Sequence, residues 1–160
     1  MTSQSNPGTH VLEQTFTVPG VFASVMLTFD LFANDQSGTG PLDLGLDHTA
    51  FPNQHVRVDI LSFGSSAFDT GGGVLLGVLS PFVDPLPNPN PFTSYAFDIT
   101  GLVGGGGTFD LRFGEVDNQG NFHMGVDNVS ISAVPEPSTM LLLGSGLAGL
   151  VAWRMRKAKA

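Results

Sequence analysis

Apolar and polar residues alternate along most of the first 133 positions, the period of a strand with one buried face. In LEQTFTV, Leu12, Gln14, Phe16 and Val18 fall on one side, and Pro19-Gly20 ends the run. ASVMLTFDLFA is the strongest predicted strand. Ala23, Val25, Leu27, Phe29, Leu31 and Ala33 share one face, with Ser24, Thr28 and Asp30 among those on the other. VRVDILSF places Val56, Val58 and Ile60 inward and Arg57 and Asp59 outward, and VLLGVL follows the break at Gly71-Gly72-Gly73. TSYAFDIT points Tyr95, Phe97 and Ile99 one way; TFDLRFG points Phe109, Leu111 and Phe113 inward and Asp110 and Arg112 outward. The last strand region, NFHMGVDNVSISAV, changes phase. Phe122, Met124 and Val126 share one parity and Val129, Ile131 and Ala133 the other, so a β-bulge is predicted near Asp127–Asn128.

NDQSGTGPLDLGLDHTAFPNQ and SPFVDPLPNPNP are too rich in Gly and Pro for interior strands and read as loops. VDNQGN reads as a hairpin turn. No helical period is visible before residue 138. Seven or eight strands with Gly- and Pro-rich connections predict an all-β domain over residues 11–133, an antiparallel β-sandwich or jelly roll. The first ten residues are expected to be disordered. The two long loops are expected to gather at the ends of the sandwich, where binding sites form.

The charge is unevenly spread. Only Arg57 and Arg112 are basic before residue 154, all 14 acidic residues lie at or before Glu136, and the other four basic residues follow Trp153. An acidic body repels nucleic acid, which is therefore not an expected partner. The absence of cysteine removes disulfides, thiolate nucleophiles and cysteine-ligated zinc. MTSQSNPGTH has neither a basic n-region nor an apolar h-region, so no secretory signal is visible. Because the tail argues for export, the expectation is that the true beginning is missing; the alternative is a protein that stays inside, its tail unread.

The last 27 residues differ in kind. Met140 to Trp153 contains no charge, and a helix over residues 138–153 would span about 24 Å at ~1.5 Å per residue. That is short of the ~30 Å hydrocarbon core, but Arg154 and Arg156 can snorkel and bilayers thin at little cost. One short C-terminal transmembrane helix is therefore expected. Trp153 sits where an interfacial aromatic would, and Arg154, Arg156 and Lys157 should remain cytoplasmic, which turns the acidic body outward. Pro135 and Pro137 keep the backbone extended around Glu136, in a form that a processing enzyme can grip.

VPEPSTMLLLGSGLAGLVAWRMRK resembles the PEP-CTERM sorting signal of Gram-negative bacteria. Its three parts stand in order: Pro135-Glu136-Pro137, the apolar segment, and a basic end over residues 154–159. The basic end mixes Arg and Lys where the family has a run of arginines, and the signal peptide that members carry is missing. The resemblance assigns residues 134–160 to a sorting signal. It implies recognition by exosortase, a membrane-embedded cysteine enzyme, with cleavage near the motif. It also implies an inner-membrane precursor with a cytoplasmic C-terminus, then delivery to the cell surface or extracellular matrix, commonly in exopolysaccharide producers. GTFDLRFGEVDNQGNFHMGVDNVSIS is similar to the closing strands of the jelly-roll ectodomains of such proteins, which supports the fold and names no substrate.

Catalytic signals are sparse. His10, His48, His55 and His123 lack the spacing of a zinc protease. The carboxylates of Asp30, Asp59, Asp98, Asp110, Glu115, Asp117 and Asp127 mostly take the outward parity and read first as a solvated face; as a glycosidase pair, none stands out. No cofactor is expected. Structural calcium is the alternative, with Asp127 at the predicted bulge as its candidate, since hard oxygen ligands suit Ca²⁺; the reading preferred is an Asp-Asn turn that satisfies backbone amides. No catalytic residue is assigned. The chain is expected to be a non-enzymatic surface or matrix protein, processed through its tail and associated with exopolysaccharide or biofilm. A carbohydrate-binding module is the second reading, weakened by few exposed aromatics, and a polysaccharide hydrolase the third.

Overall fold

The computed structural model describes residues 2–4, 7–20, 22–37, 41–79, 89–135, 145–148 and 154. Among these residues there are eight strands: β1 (Thr2–Gln4), β2 (Gly8–Val18), β3 (Phe22–Asp35), β4 (His55–Ser62), β5 (Val74–Leu79), β6 (Thr93–Asp98), β7 (Gly107–Asp117) and β8 (Phe122–Pro135). They form two four-stranded antiparallel sheets, ordered β1-β8-β3-β6 and β2-β7-β4-β5. The strands expected from alternation all appear. Strand structure begins earlier than residue 11, because residues 2–4 pair with β8 and residues 8–10 open β2, which corrects the expected disordered N-terminus. One short helical turn, α1 (Thr100–Val103), lies between β6 and β7.

The pairs β1·β8, β2·β7, β3·β6 and β4·β5 are those of one long hairpin with its tip between β4 and β5. The hairpin is rolled so that β8 also meets β3 and β7 also meets β4. This winding is that of a jelly roll. It makes the residue 118–121 turn a crossing between sheets, not the hairpin that VDNQGN suggested: β7 and β8 lie in different sheets.

Winding also sorts the connections. Those leaving odd-numbered strands, including residues 36–54 and 118–121, share one end of the sandwich. Those leaving even-numbered strands, residues 19–21, 63–73 and 99–106, share the other, and β8 finishes there: Pro135 pairs with Phe22, whose N–H donates to Gly104 O at 3.0 Å.

The core lies between the sheets. Val25, Leu27, Phe29, Leu31 and Ala33 of β3 face Val56, Val58, Ile60, Leu111 and Phe113, all buried. Phe29 packs edge-on against Phe113 and stacks on Tyr95 and Phe97. The predicted bulge is present. Asp30 faces Asp127 while Thr28 faces Ser130, one residue out of step, and Asn128 takes φ 52°. The extra residue lets Val126, opposite Leu31, and Ile131, opposite Leu27, both turn inward.

Candidate functional site

The sorting motif starts inside the fold. Ala133, Val134 and Pro135 are the last residues of β8, paired with Val25, Ser24 and Phe22. Ser132, Ala133 and Val134 are exposed, Val134 at 58%. Glu136, Pro137, Trp153, Arg156 and Lys157 lie outside the described residues, as does most of the expected helix over residues 138–153. Of that segment residues 145–148 are helical and exposed, and Arg154 is exposed. Among the described residues no helix is long and apolar enough to cross a membrane.

Asp127 and Asn128 form the expected turn pair. The Asp127 carboxylate accepts the Asn128 N–H at 2.8 Å, and Asn128 Nδ2 donates to Asp30 at 2.6 Å. Ser94 Oγ donates to the other oxygen of Asp30; these side-chain bonds, from Ser94 first, hold the Asp30 carboxyl below its ordinary value. Among the described residues no group of three or more His, Asp or Glu is placed to hold a metal.

The outward acids of the second sheet are not the solvated face that parity suggested. Asp59, Asp110 and Arg112 are buried. They do point away from the core, but the residue 63–73 connection folds over them. Arg112 donates from Nε (3.1 Å) and Nη2 (2.5 Å) to Asp59 Oδ2, and from Nη1 to the carbonyls of Ala67 and Asp69. Arg57 forks onto both oxygens of the same Asp59, at 2.7 and 2.9 Å, and this bonding raises the already high pKa of its guanidinium. Asp110 accepts from Gly64 N–H and Thr15 Oγ1. One carboxylate thus holds two arginines, and one arginine pins a loop.

A second polar cluster closes the core at the other end. Asp35, Gln54, Glu115 and Asp117 take the inward parity where apolar residues run out, and all are buried. Gln54 Nε2 donates to Asp35 Oδ1, and Gln54 Oε1 accepts the Gln119 N–H at 2.8 Å. Asn118 Nδ2 donates to the carbonyls of His48 and Ala50, and its Oδ1 accepts the Asn53 N–H, so the long loop is tied to the β7–β8 turn. Asp117 Oδ1 accepts the Gly8 N–H at 2.7 Å while Oδ2 is buried without a partner; burial raises this carboxyl above its ordinary value. His55 lies buried with Nδ1 3.1 Å from Asn53 Oδ1 and Nε2 3.4 Å from Asp43, and burial lowers its pKa. Sequence reading missed both clusters. Pairs such as Arg57/Asp59 and Asp110/Arg112 on one parity were the available signal, and the bonds of both clusters tie loops to strands.

The exposed aromatics are more numerous than expected. Phe51, Phe63, Phe68 and Phe92 all stand off the strands and face solvent, Phe51 at 73%. Among the described residues the flank of the sandwich between β2 and β8 is also open. β1 covers only residues 122–124 of β8, and beyond it Gln14, Phe16, Leu111, Val129 and Ile131 line a cavity of about 150 Å³.

A family model described as the PEP-CTERM protein-sorting motif matches residues 133–157. The chain carries that motif, which marks an exported protein sorted by the membrane enzyme exosortase. No curated protein and no solved structure matches the chain.

Proposed function

We propose that this is a non-enzymatic surface or extracellular-matrix protein whose jelly-roll body is delivered and released through its C-terminal tail. The observation that carries the reading is continuity: the matched motif begins at Ala133, within the last strand of the folded body. The apolar segment after Pro137 holds the precursor in the inner membrane. Trp153 marks the interface, and Arg154, Arg156 and Lys157 keep the C-terminus cytoplasmic. Exosortase then acts at Pro135-Glu136-Pro137. Because β8 exits beside the residue 19–21 and 99–106 connections, that end faces the membrane. The end with the long residue 36–54 loop faces outward, into exopolysaccharide.

The test is fractionation of a host that carries exosortase. The chain should appear shortened at its C-terminus, at the surface or in the matrix, and a Pro135→Ala/Pro137→Ala variant should stay full-length in the inner membrane. Intact wild-type chain in the cytosol overturns the reading.

Exposed Phe51 on the outward loop favours one refinement, in which the body binds polysaccharide. Sugar rings stack on flat apolar faces. Pull-down on extracted exopolysaccharide should then be weakened by Phe51→Ala, and equal silence of both proteins leaves the matrix role without sugar binding.

A further inference from the structure

The last residues of β8 belong to two structures at once. They close a ladder with β3, and they open the segment matched as the sorting motif. A processing enzyme needs extended backbone with free amide and carbonyl groups and room on both sides. From Ser132 to Pro135 one edge of the strand is taken by Met26, Val25, Ser24 and Phe22. The motif therefore has no free linker between it and the fold.

Little else holds Ser132, Ala133 and Val134. Among the described side chains of β8, Ile131 is the last that packs on the core. Ser132, Ala133 and Val134 are exposed, and the ladder already slips a register between Phe22 and Ser24. Separating residues 132–134 from β3 breaks backbone pairing and moves side chains that are already exposed. Such a segment opens locally while the rest stays folded.

We infer that residues 132–135 form a peelable recognition arm: exosortase processes this chain only after the end of β8 leaves β3, so strand fraying sets the rate of release. This rests on the proposed function and adds its regulation. Processing then scales with the fraction of molecules whose arm is open. The competing arrangement is docking along the other edge of β8, which has no described partner beyond residue 124, with the strand left in place.

A disulfide across the paired positions Ser24 and Val134 separates the two. The chain has no cysteine of its own, so Ser24→Cys/Val134→Cys introduces the only bridge. In exosortase-bearing cells the oxidised full-length variant should be processed at least about tenfold more slowly than wild type, because the open fraction collapses, and reductant should restore the rate. Thr17→Cys/Thr108→Cys, a bridge between β2 and β7 on the opposite sheet, should be processed like wild type. A four-residue Gly-Ser insertion between Val134 and Pro135 supplies the missing linker; it should speed processing and rescue the locked chain. Locked chain processed at the wild-type rate, or an insertion that neither accelerates nor rescues, overturns the inference. Wild-type chain that is never processed overturns the proposed function instead.

Discussion

Arg112 and Asp59 meet through two nitrogens on one oxygen, both side chains fully buried on the face of a sheet that points away from the core. Arg57 shares the same carboxylate. Removing the acid leaves two desolvated guanidinium groups facing each other. Asp59→Leu should cost about 3–5 kcal/mol, the usual consequence of breaking a buried ion pair from one side. A triple change to apolar residues at 57, 59 and 112 should cost less than Asp59→Leu alone, since no orphaned charge remains. Urea midpoints of the single and triple variants make the comparison.

The pH response has two opposed sources. His55 is kept below its ordinary value of 6.5, chiefly by burial. The unfolded chain thus takes up protons before the folded one does, and stability falls as pH drops from about 6.5 toward the folded value. Asp117 is raised above 3.8 by burial, so its contribution is present at acid pH and lost as pH rises through its folded value. His55→Gln should flatten the acid-side loss below about pH 6.5, and Asp117→Asn should raise stability near neutrality. Denaturation midpoints followed from about pH 3 to 8 read both slopes, and an unchanged acid limb in His55→Gln contradicts the assignment.

What alternation shows, it shows well. From Val25 to Ala33 every odd position of the central strand β3 is buried, because a period of two has one physical solution when one face is dry, whereas Ala23, at the register shift, is exposed. The phase slip at Asp127–Asn128 named a bulge for the same reason. What alternation cannot show is what covers the other face. Asp59, Arg112 and Asp110 are outward by parity and dry by loop coverage, and the loop that covers them has no period of its own. The turn over residues 118–121 misled likewise: its composition marks a reversal, but only pairing across the whole chain decides between hairpin and sheet crossing. The tail was legible because its three parts stand in a fixed order. The junction was not, since Ala133–Pro135 reads as a strand end and as a motif start with equal right.

Gly125 marks a close approach on the outer face of the first sheet. It pairs with Phe32, whose ring lies over it, and a Cβ there would clash with the ring; Phe92 packs edge-on against the same ring. Gly125→Ala should push the Phe32 ring aside and cost about 1–3 kcal/mol, the range for overpacking. Gly125→Ala combined with Phe32→Ala should cost less than the two changes added separately, which a double-mutant cycle by thermal or urea unfolding reads directly.

The bulge residue Asn128 joins backbone geometry to side-chain bonding. Its φ of 52° lies in the left-handed region that Asn and Gly tolerate and β-branched residues do not. Its Nδ2 also ties β8 to Asp30 on β3 at 2.6 Å. Asn128→Gly keeps the backbone and loses one exposed bond, so its cost should stay near 1 kcal/mol. Asn128→Val loses the bond and strains the backbone, adding about 1–3 kcal/mol. If the bulge is what turns both Val126 and Ile131 inward, deleting Asn128 altogether must put one of these two sets on the wrong face. The deletion should therefore destabilise the fold more than either substitution, and hydrogen exchange should show lost protection on both sides of position 128. Protection retained on both sides would mean that β8 absorbs the missing residue elsewhere along its length.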